Sequence, residues 1–269
     1  MSELGDVLEL LHDAARRVTT LSVTLREWWD EDQSRRAMAA AVRNARGTSV
    51  TWSVGDGEPS PRPSDREHRT SIYYQRPGRY RIQRQPEAAS QEPAILHVCD
   101  GTREWTYVPD RAEAWVQQPG AHQLVDDLLD PAWLPGEFLL GLAGRLRHQG
   151  QAAVALHGRL RAGQDRGFGT RAHPGAEEIR AIIDADTGLL LELTSLFEGE
   201  PLSSRSLHEV VLNQPLDQAL FGFTPPPGTR VEDVEARQHR PPLTRRWRLR
   251  FRRPRPGPVA TYSRLRRLP

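Results

Sequence analysis

Leu21, Val23 and Leu25 alternate with Ser22, Thr24 and Arg26. That period predicts a strand over Leu21–Asp30, with one face on a core and the other in water. Trp28-Trp29 then puts one indole on each face. The preceding stretch has a different period. Val7, Leu8, Leu10, Leu11, Ala14, Ala15 and Val18 recur at helical spacing, which predicts a helix capped by Asp6 and running to about Arg17, packed on the protein's own sheet. Glu31–Arg43 is rich in Ala and Arg and lacks β-branching before Val42, so a second helix is expected there. Period two returns at Thr48–Val54, Thr70–Gln75 and Tyr80–Gln85. Gly55–Arg66 reads as a loop and Arg76-Pro77-Gly78 as a turn.

The densest run of short strands is Pro93–Pro119. Ala94–Cys99, Arg103–Val108 and Arg111–Gln118 are β-favouring, and the chain reverses at Asp100-Gly101 and Pro109-Asp110. After Pro119 the spacing lengthens. Leu124, Val125, Leu128 and Leu129, then Phe138, Leu139 and Leu142, stand at helical intervals. Short helices are therefore expected over His122–Asp130 and Pro135–Leu146, around Trp133. Strands resume at Ala153–Arg161, Glu178–Asp184, Leu189–Glu198 and Leu202–Leu212, with a loop at Ala162–Gly175 and a turn at Asp186-Thr187-Gly188. Phe221–Gly228 closes the domain. The fold class is mainly β (α+β): a single curved antiparallel sheet or open barrel, with an N-terminal helix and a mid-chain helical lid on the concave side. The division expected is a domain over residues 1–234 and an Arg/Pro-rich tail over residues 235–269.

Composition narrows the class. Seven Trp argue against disorder, while 37% hydrophobic residues and a mean hydropathy of −0.63 suit a thin sheet with much solvent-facing surface. All 37 basic residues are Arg, the mark of an Arg-rich codon usage. The net charge is only +2, yet much of the positive excess lies after Arg237. Cys99 is the single cysteine, so no intrachain disulfide forms. The first residues carry acids and lack a basic segment followed by an apolar one, which reads as no secretory leader and a cytoplasmic location. No apolar run reaches membrane-spanning length.

Motifs for chemistry are weak. There is no CxxC, HExxH, GxSxG or GxxxxGK[ST], and the nine His are scattered without ligand spacing. Gly167–Ala172 fits a dinucleotide pattern, but His173-Pro174-Gly175 would break the helix that such a site needs. Asp126–Asp130 fits DDxxD, which holds magnesium and diphosphate in all-helical enzymes. In a chain of strands it reads as acids on a solvated helix face. Cys99 ends an apolar strand and reads as a buried, inert thiol. After Arg237, Trp247, Phe251 and Tyr262 interleave with Arg. That pattern suits an anionic membrane or a nucleic acid, and equally a solvated tail.

Several stretches in order resemble the LolA/LolB/RseB-like superfamily of lipoprotein carriers and envelope-stress sensors. They are Pro77–Ile82, Cys99-Asp100-Gly101 followed by Trp105–Pro109, Ile183–Leu190 and Phe221–Gly228. The resemblance covers about residues 2–234. It implies an open half-barrel with a helical lid over an apolar cavity, no catalysis and no cofactor. The partner it implies is an acyl chain, a lipid or a hydrophobic protein segment. The lining residues expected are Leu21, Val23, Leu25, Trp52, Tyr74, Ile82, Trp105, Tyr107, Trp115, Trp133, Phe138 and Leu142. Two functions follow. One is a non-enzymatic module binding a hydrophobic ligand. The other is a cytosolic regulator whose groove or basic tail binds a protein or polyanion.

Overall fold

The computed structural model describes residues 3–44, 65–85, 94–120, 122–162 and 171–235. Helix α1 (Glu3–Arg17) leads into strand β1 (Thr20–Asp30) and helix α2 (Glu31–Asn44). Five strands follow: β2 (Asp65–Gln75), β3 (Arg79–Gln85), β4 (Ile95–Cys99), β5 (Glu104–Val108) and β6 (Glu113–Gln117). Short helices α3 (Gln123–Leu129) and α4 (Trp133–Glu137) come next. Then come β7 (Phe138–His148), β8 (Gln151–Leu160), β9 (Glu178–Asp184), β10 (Leu190–Phe197), β11 (Glu200–Leu212) and β12 (Arg230–Asp233). Among the described residues, twelve strands form one open, curved sheet in the order β12-β6-β5-β4-β3-β2-β1-β11-β10-β9-β8-β7. Every neighbouring pair is antiparallel except β12 with β6.

The pleat explains why the helices gather on one side. Leu21, Val23 and Leu25 of β1 face the same way as Ile72 of β2 and Ile82 of β3, because Val23 pairs with Ile72 and Ile72 with Ile82. Across β1 the same face carries Leu207, opposite Leu25. Val125, Leu128 and Leu129 of α3 cover this patch as one cluster. Toward the other edge, Val7 and Leu11 of α1 and Leu134 of α4 pack on Phe138, Leu156, Ile179 and Ile183. One concave face thus holds two adjoining cores.

Two aspartate turns set the hairpins. Asp100 accepts from Thr102 N (2.6 Å), Thr102 Oγ1 (2.7 Å) and Arg103 N (2.8 Å). Asp184 accepts from Asp186 N (3.2 Å), Thr187 N (2.7 Å) and Thr187 Oγ1 (2.7 Å). Such side-chain turns imitate the backbone bond of a tight reversal. At Gly188, φ is +79° and a Cβ would lie 2.5 Å from the Leu10 carbonyl oxygen. Only glycine lets α1 pack this closely. The motifs that carried the resemblance are therefore turn and packing devices.

Three expectations are corrected, and one strand is new. The helix expected over Pro135–Leu146 is one turn, α4, followed by the edge strand β7 paired along its length with β8. Phe138, Leu139 and Leu142 fit helical spacing, but Gly141 and Gly144 weaken a helix, and ladder pairing with β8 wins. At Gly141 a Cβ would sit 2.4 Å from the ring of the exposed His157, so a larger residue there would push that ring aside. Asp6 does not cap α1; it lies in the first turn of a helix that starts at Glu3. The loop expected to Arg66 ends sooner, because β2 begins at Asp65. The parallel strand β12 was not expected at all. The strand expected at Thr48–Val54 lies outside the described residues, as does most of the Ala162–Gly175 loop.

Candidate functional site

The apolar rows of the concave face end in charge at one level. Along β1, Leu21, Val23 and Leu25 are followed on the same face by Glu27, and β3 runs from Ile82 to Arg84. On β11, Leu207 is followed by Arg205, which pairs across with Glu27. Glu27 accepts an ion pair from Arg205 Nε at 3.1 Å and from Arg84 Nη2 at 3.9 Å. Above them Asp127 projects from α3 and is 4% exposed. Its carboxylate lies 3.4 Å from Arg171 Nη1 and 4.0 Å from Arg205 Nη1. Burial pushes the Asp127 carboxyl above its ordinary value, against the pull of Arg171 and Arg205. The Trp133 indole donates to the Asp127 carbonyl at 3.3 Å, which ties α4 to α3. Both Glu137 carboxylate oxygens accept the Arg171 amide at 3.1 Å. The helical lid is thus attached to the sheet by an apolar patch and one buried ionic cluster.

Three spaces meet at this cluster. A cavity of about 380 Å³ lies between β1–β4 and the start of α3, with Thr70, Ile82, Arg84, Ile95, His97 and Leu124 among its walls. A second, of about 260 Å³, runs toward Trp28, Trp29, His173 and Ser203. They share Glu27, Arg84 and Arg205. The third is a seam of only about 10 Å³ beneath the lid, lined by Leu25, Leu128, Leu193 and Leu207 and closed at one end by Asp127 and Arg205. The mainly apolar seam is packed shut, and the two open spaces mix apolar walls with the charges of Glu27, Arg84 and Arg205.

At the far end of the large cavity, His97 of β4 faces His122, the residue just before α3, with ring centroids 5.2 Å apart. Burial, and then the neighbouring His122, push His97 down to about 4. Burial lowers His122 as well. Both rings are therefore neutral at neutral pH. His97 Nδ1 lies 3.0 Å from Thr106 Oγ1. The phenol of Tyr80, 5.2 Å from His122, is raised by burial and then by Glu104. Among the described residues no His, Cys, Asp or Glu cluster has metal-binding geometry. Cys99 is buried in the sheet core and its thiol is raised by that burial.

Leu21, Val23, Leu25 and Ile82 lie together under α3, with Tyr74 packed against them. Phe138 is in the second core, where Trp133 and Leu142 pack on it. Trp115 pairs with Thr106, which pairs with His97, so it shares the concave face. Trp105 and Tyr107 point to the opposite face, where Phe223 covers them at 5.7 and 5.4 Å between centroids. Trp52 lies outside the described residues. The ionic cluster of Glu27, Arg84, Asp127 and Arg205 was not anticipated. Asp126–Asp130 is not a solvated acidic face, because Asp127 is buried. The signal that marks the cluster is a charge standing where a strand's apolar period demands another aliphatic residue.

No family model matches the chain, and no curated protein matches it in sequence. Solved structures do. An uncharacterised conserved protein from Thermus thermophilus aligns at 12% identity and a TM-score of 0.46, over 86% of this chain and 99% of that one. The Pseudomonas aeruginosa MucA/MucB complex aligns at 18% and 0.42, over 82% of this chain and 62% of that one. The Mycobacterium tuberculosis lipoprotein LppX aligns at 11% and 0.43, over 80% of this chain and 99% of that one. A LolA superfamily protein from Nitrosomonas europaea is also similar. The likeness to these LolA/LolB/RseB-like structures is one of fold alone. The cytoplasmic location expected from the N-terminus is contradicted by these neighbours. One of them is a lipoprotein and another is solved with MucA(peri). The expectation rested on the first residues, most of which form α1 and pack into the domain. Their pattern reports the packing of α1.

Proposed function

We propose that the chain is a non-enzymatic module that binds a hydrophobic ligand, a lipid or acyl chain, on the concave face beneath α3 and α4. The observation that carries this reading is the way the lid is seated. Val125, Leu128 and Leu129 fill the apolar patch of Leu21, Leu25, Ile82 and Leu207, as an acyl chain would if the lid moved aside. Each methylene leaving water for that patch would gain about 0.8 kcal/mol, offset by any lid side chain that it returns to water. Because the lid helices have only seven and five residues, they depend on this packing to exist as helices. Native mass spectrometry of the full chain, with organic extraction of what it carries, tests the reading. A stoichiometric lipid, or uptake of added fatty acid, is expected. A protein that arrives empty and ignores added fatty acid would sink it.

A second reading is favoured by the division of charge. Twelve of the 37 arginines and none of the 35 acids fall in residues 236–269, which leaves residues 1–235 with a net charge of −10. Residues 236–269 would bind a polyanion, such as an anionic membrane or a nucleic acid, by counterion release. Binding to anionic vesicles or to DNA should weaken steeply as salt rises and should vanish when residues 236–269 are deleted. Binding that survives the deletion would refute it.

A further inference from the structure

We infer that the ligand of the concave face is an anionic single-chain amphiphile whose phosphate or carboxylate head sits between Arg84 and Arg205, with its chain beneath the lid. This rests on the hydrophobic-ligand reading and names its chemistry. A wholly apolar molecule fits the site poorly. The two open spaces, of about 380 and 260 Å³, meet at Glu27, Arg84 and Arg205, and stripping water from those charges without replacing it is costly. The apolar seam and the large cavity share Leu124, Asp127 and Arg205 as walls. A ligand that spans both therefore presents its other end to Arg205.

The charge of that end follows from the residues around it. Three guanidiniums, Arg84, Arg171 and Arg205, stand among three acids, Glu27, Asp127 and Glu137, and what distinguishes them is exposure. The Arg84 and Arg205 side chains are 37% and 35% exposed, so a ligand reaches them, whereas Glu27 and Asp127 are 14% and 6% exposed. The surface met by an incoming head is the cationic part of the cluster. Ser203, Ser204 and Thr70 add neutral hydroxyls along the walls. An anion held by two guanidiniums gains charge-assisted hydrogen bonds that a neutral head lacks.

Calorimetry on the full chain with three probes tests this: a 14-carbon lysophosphatidic acid, the matching uncharged monoacylglycerol, and inorganic phosphate. The lysophosphatidic acid should bind about tenfold or more tighter than the monoacylglycerol, and phosphate alone should not bind measurably. Arg84→Gln and Arg205→Gln should each remove most of that preference, read as the ratio of the two lipids' affinities within the same variant. Arg84→Gln keeps the test open if Arg205→Gln loosens the fold. Equal affinity for the two lipids overturns the headgroup assignment and leaves the hydrophobic-ligand reading standing. Binding of neither lipid overturns both. Phosphate binding as tightly as the lipid would show an anion site that takes no chain, and would also overturn the inference.

Discussion

Phe138→Ala should destabilise the domain by about 3–5 kcal/mol, while Leu139→Ser should change stability by no more than about 0.5 kcal/mol. The contrast between two adjacent residues follows from the period of β7. In a helix, Phe138, Leu139 and Leu142 would share a face and all would contribute. In the strand, Phe138, Leu140 and Leu142 face the core and Leu139 faces out. Phe138 is 0% exposed and Leu139 is 55% exposed. Truncating Phe138 removes a large side chain from between Leu134, Leu156 and Ile179, and rigid neighbours on two layers limit collapse into the gap. Urea unfolding of the two variants measures both numbers. Comparable losses at the two positions would mean that the segment is not the edge strand described.

This segment also shows where local pattern stops being informative. Strands β1, β3 and β5 alternate cleanly, and the turns at Asp100 and Asp184 use side-chain bonds formed within three residues. All of that is local, so it is legible in the sequence. For β7, the apolar positions satisfy two periods at once, and only the long pairing with β8 decides between them. The glycines at 141 and 144 were the available clue. Strand β12 has four residues and pairs in parallel with β6, more than a hundred positions earlier. No local signal specifies such a contact.

The site follows the same division. The apolar half was legible, since Leu21, Val23, Leu25 and Ile82 sit on a face that alternation defines. Trp105 and Tyr107 alternate equally well, but which face of a strand is concave depends on register with neighbours, and here register sends them outward. The polar half was hidden for a stronger reason. Glu27, Arg84 and Arg205 stand on three different strands, and Asp127 is on a helix inserted between β6 and β7. Each reads singly as a solvated charge at the end of an element. Only the pairing of β1 with β11 and β2, and of β2 with β3, brings them to one level of the sheet.

Arg205→Ala should lower stability by about 3 kcal/mol and loosen the lid, whereas Asp127→Asn should leave neutral-pH stability unchanged or slightly higher. The asymmetry comes from which partner can reach water. When Arg205 is removed, Glu27 loses its 3.1 Å partner and Asp127 one of its two cations, and both acids stay buried. When Asp127 is neutralised, Arg171 and Arg205 are 42% and 35% exposed and can be solvated in place. The upward shift of the Asp127 carboxyl agrees in sign. A carboxyl raised on folding binds its proton more tightly in the folded state, so its contribution is fullest at acid pH and is lost as pH rises through the raised value. Asparagine removes that loss, so any gain from Asp127→Asn should appear at neutral pH and fade in acid. In the double variant, Asp127→Asn should recover part of the Arg205→Ala deficit, since one stranded charge is gone. Hydrogen exchange over Leu124–Leu129 reads the lid directly. Faster exchange in Arg205→Ala, partly reversed in the double variant, is expected. If Asp127→Asn exposed the lid as much as Arg205→Ala does, the ionic cluster would be a net stabilising latch, and a ligand's anionic head would have to compete with Asp127 for Arg205.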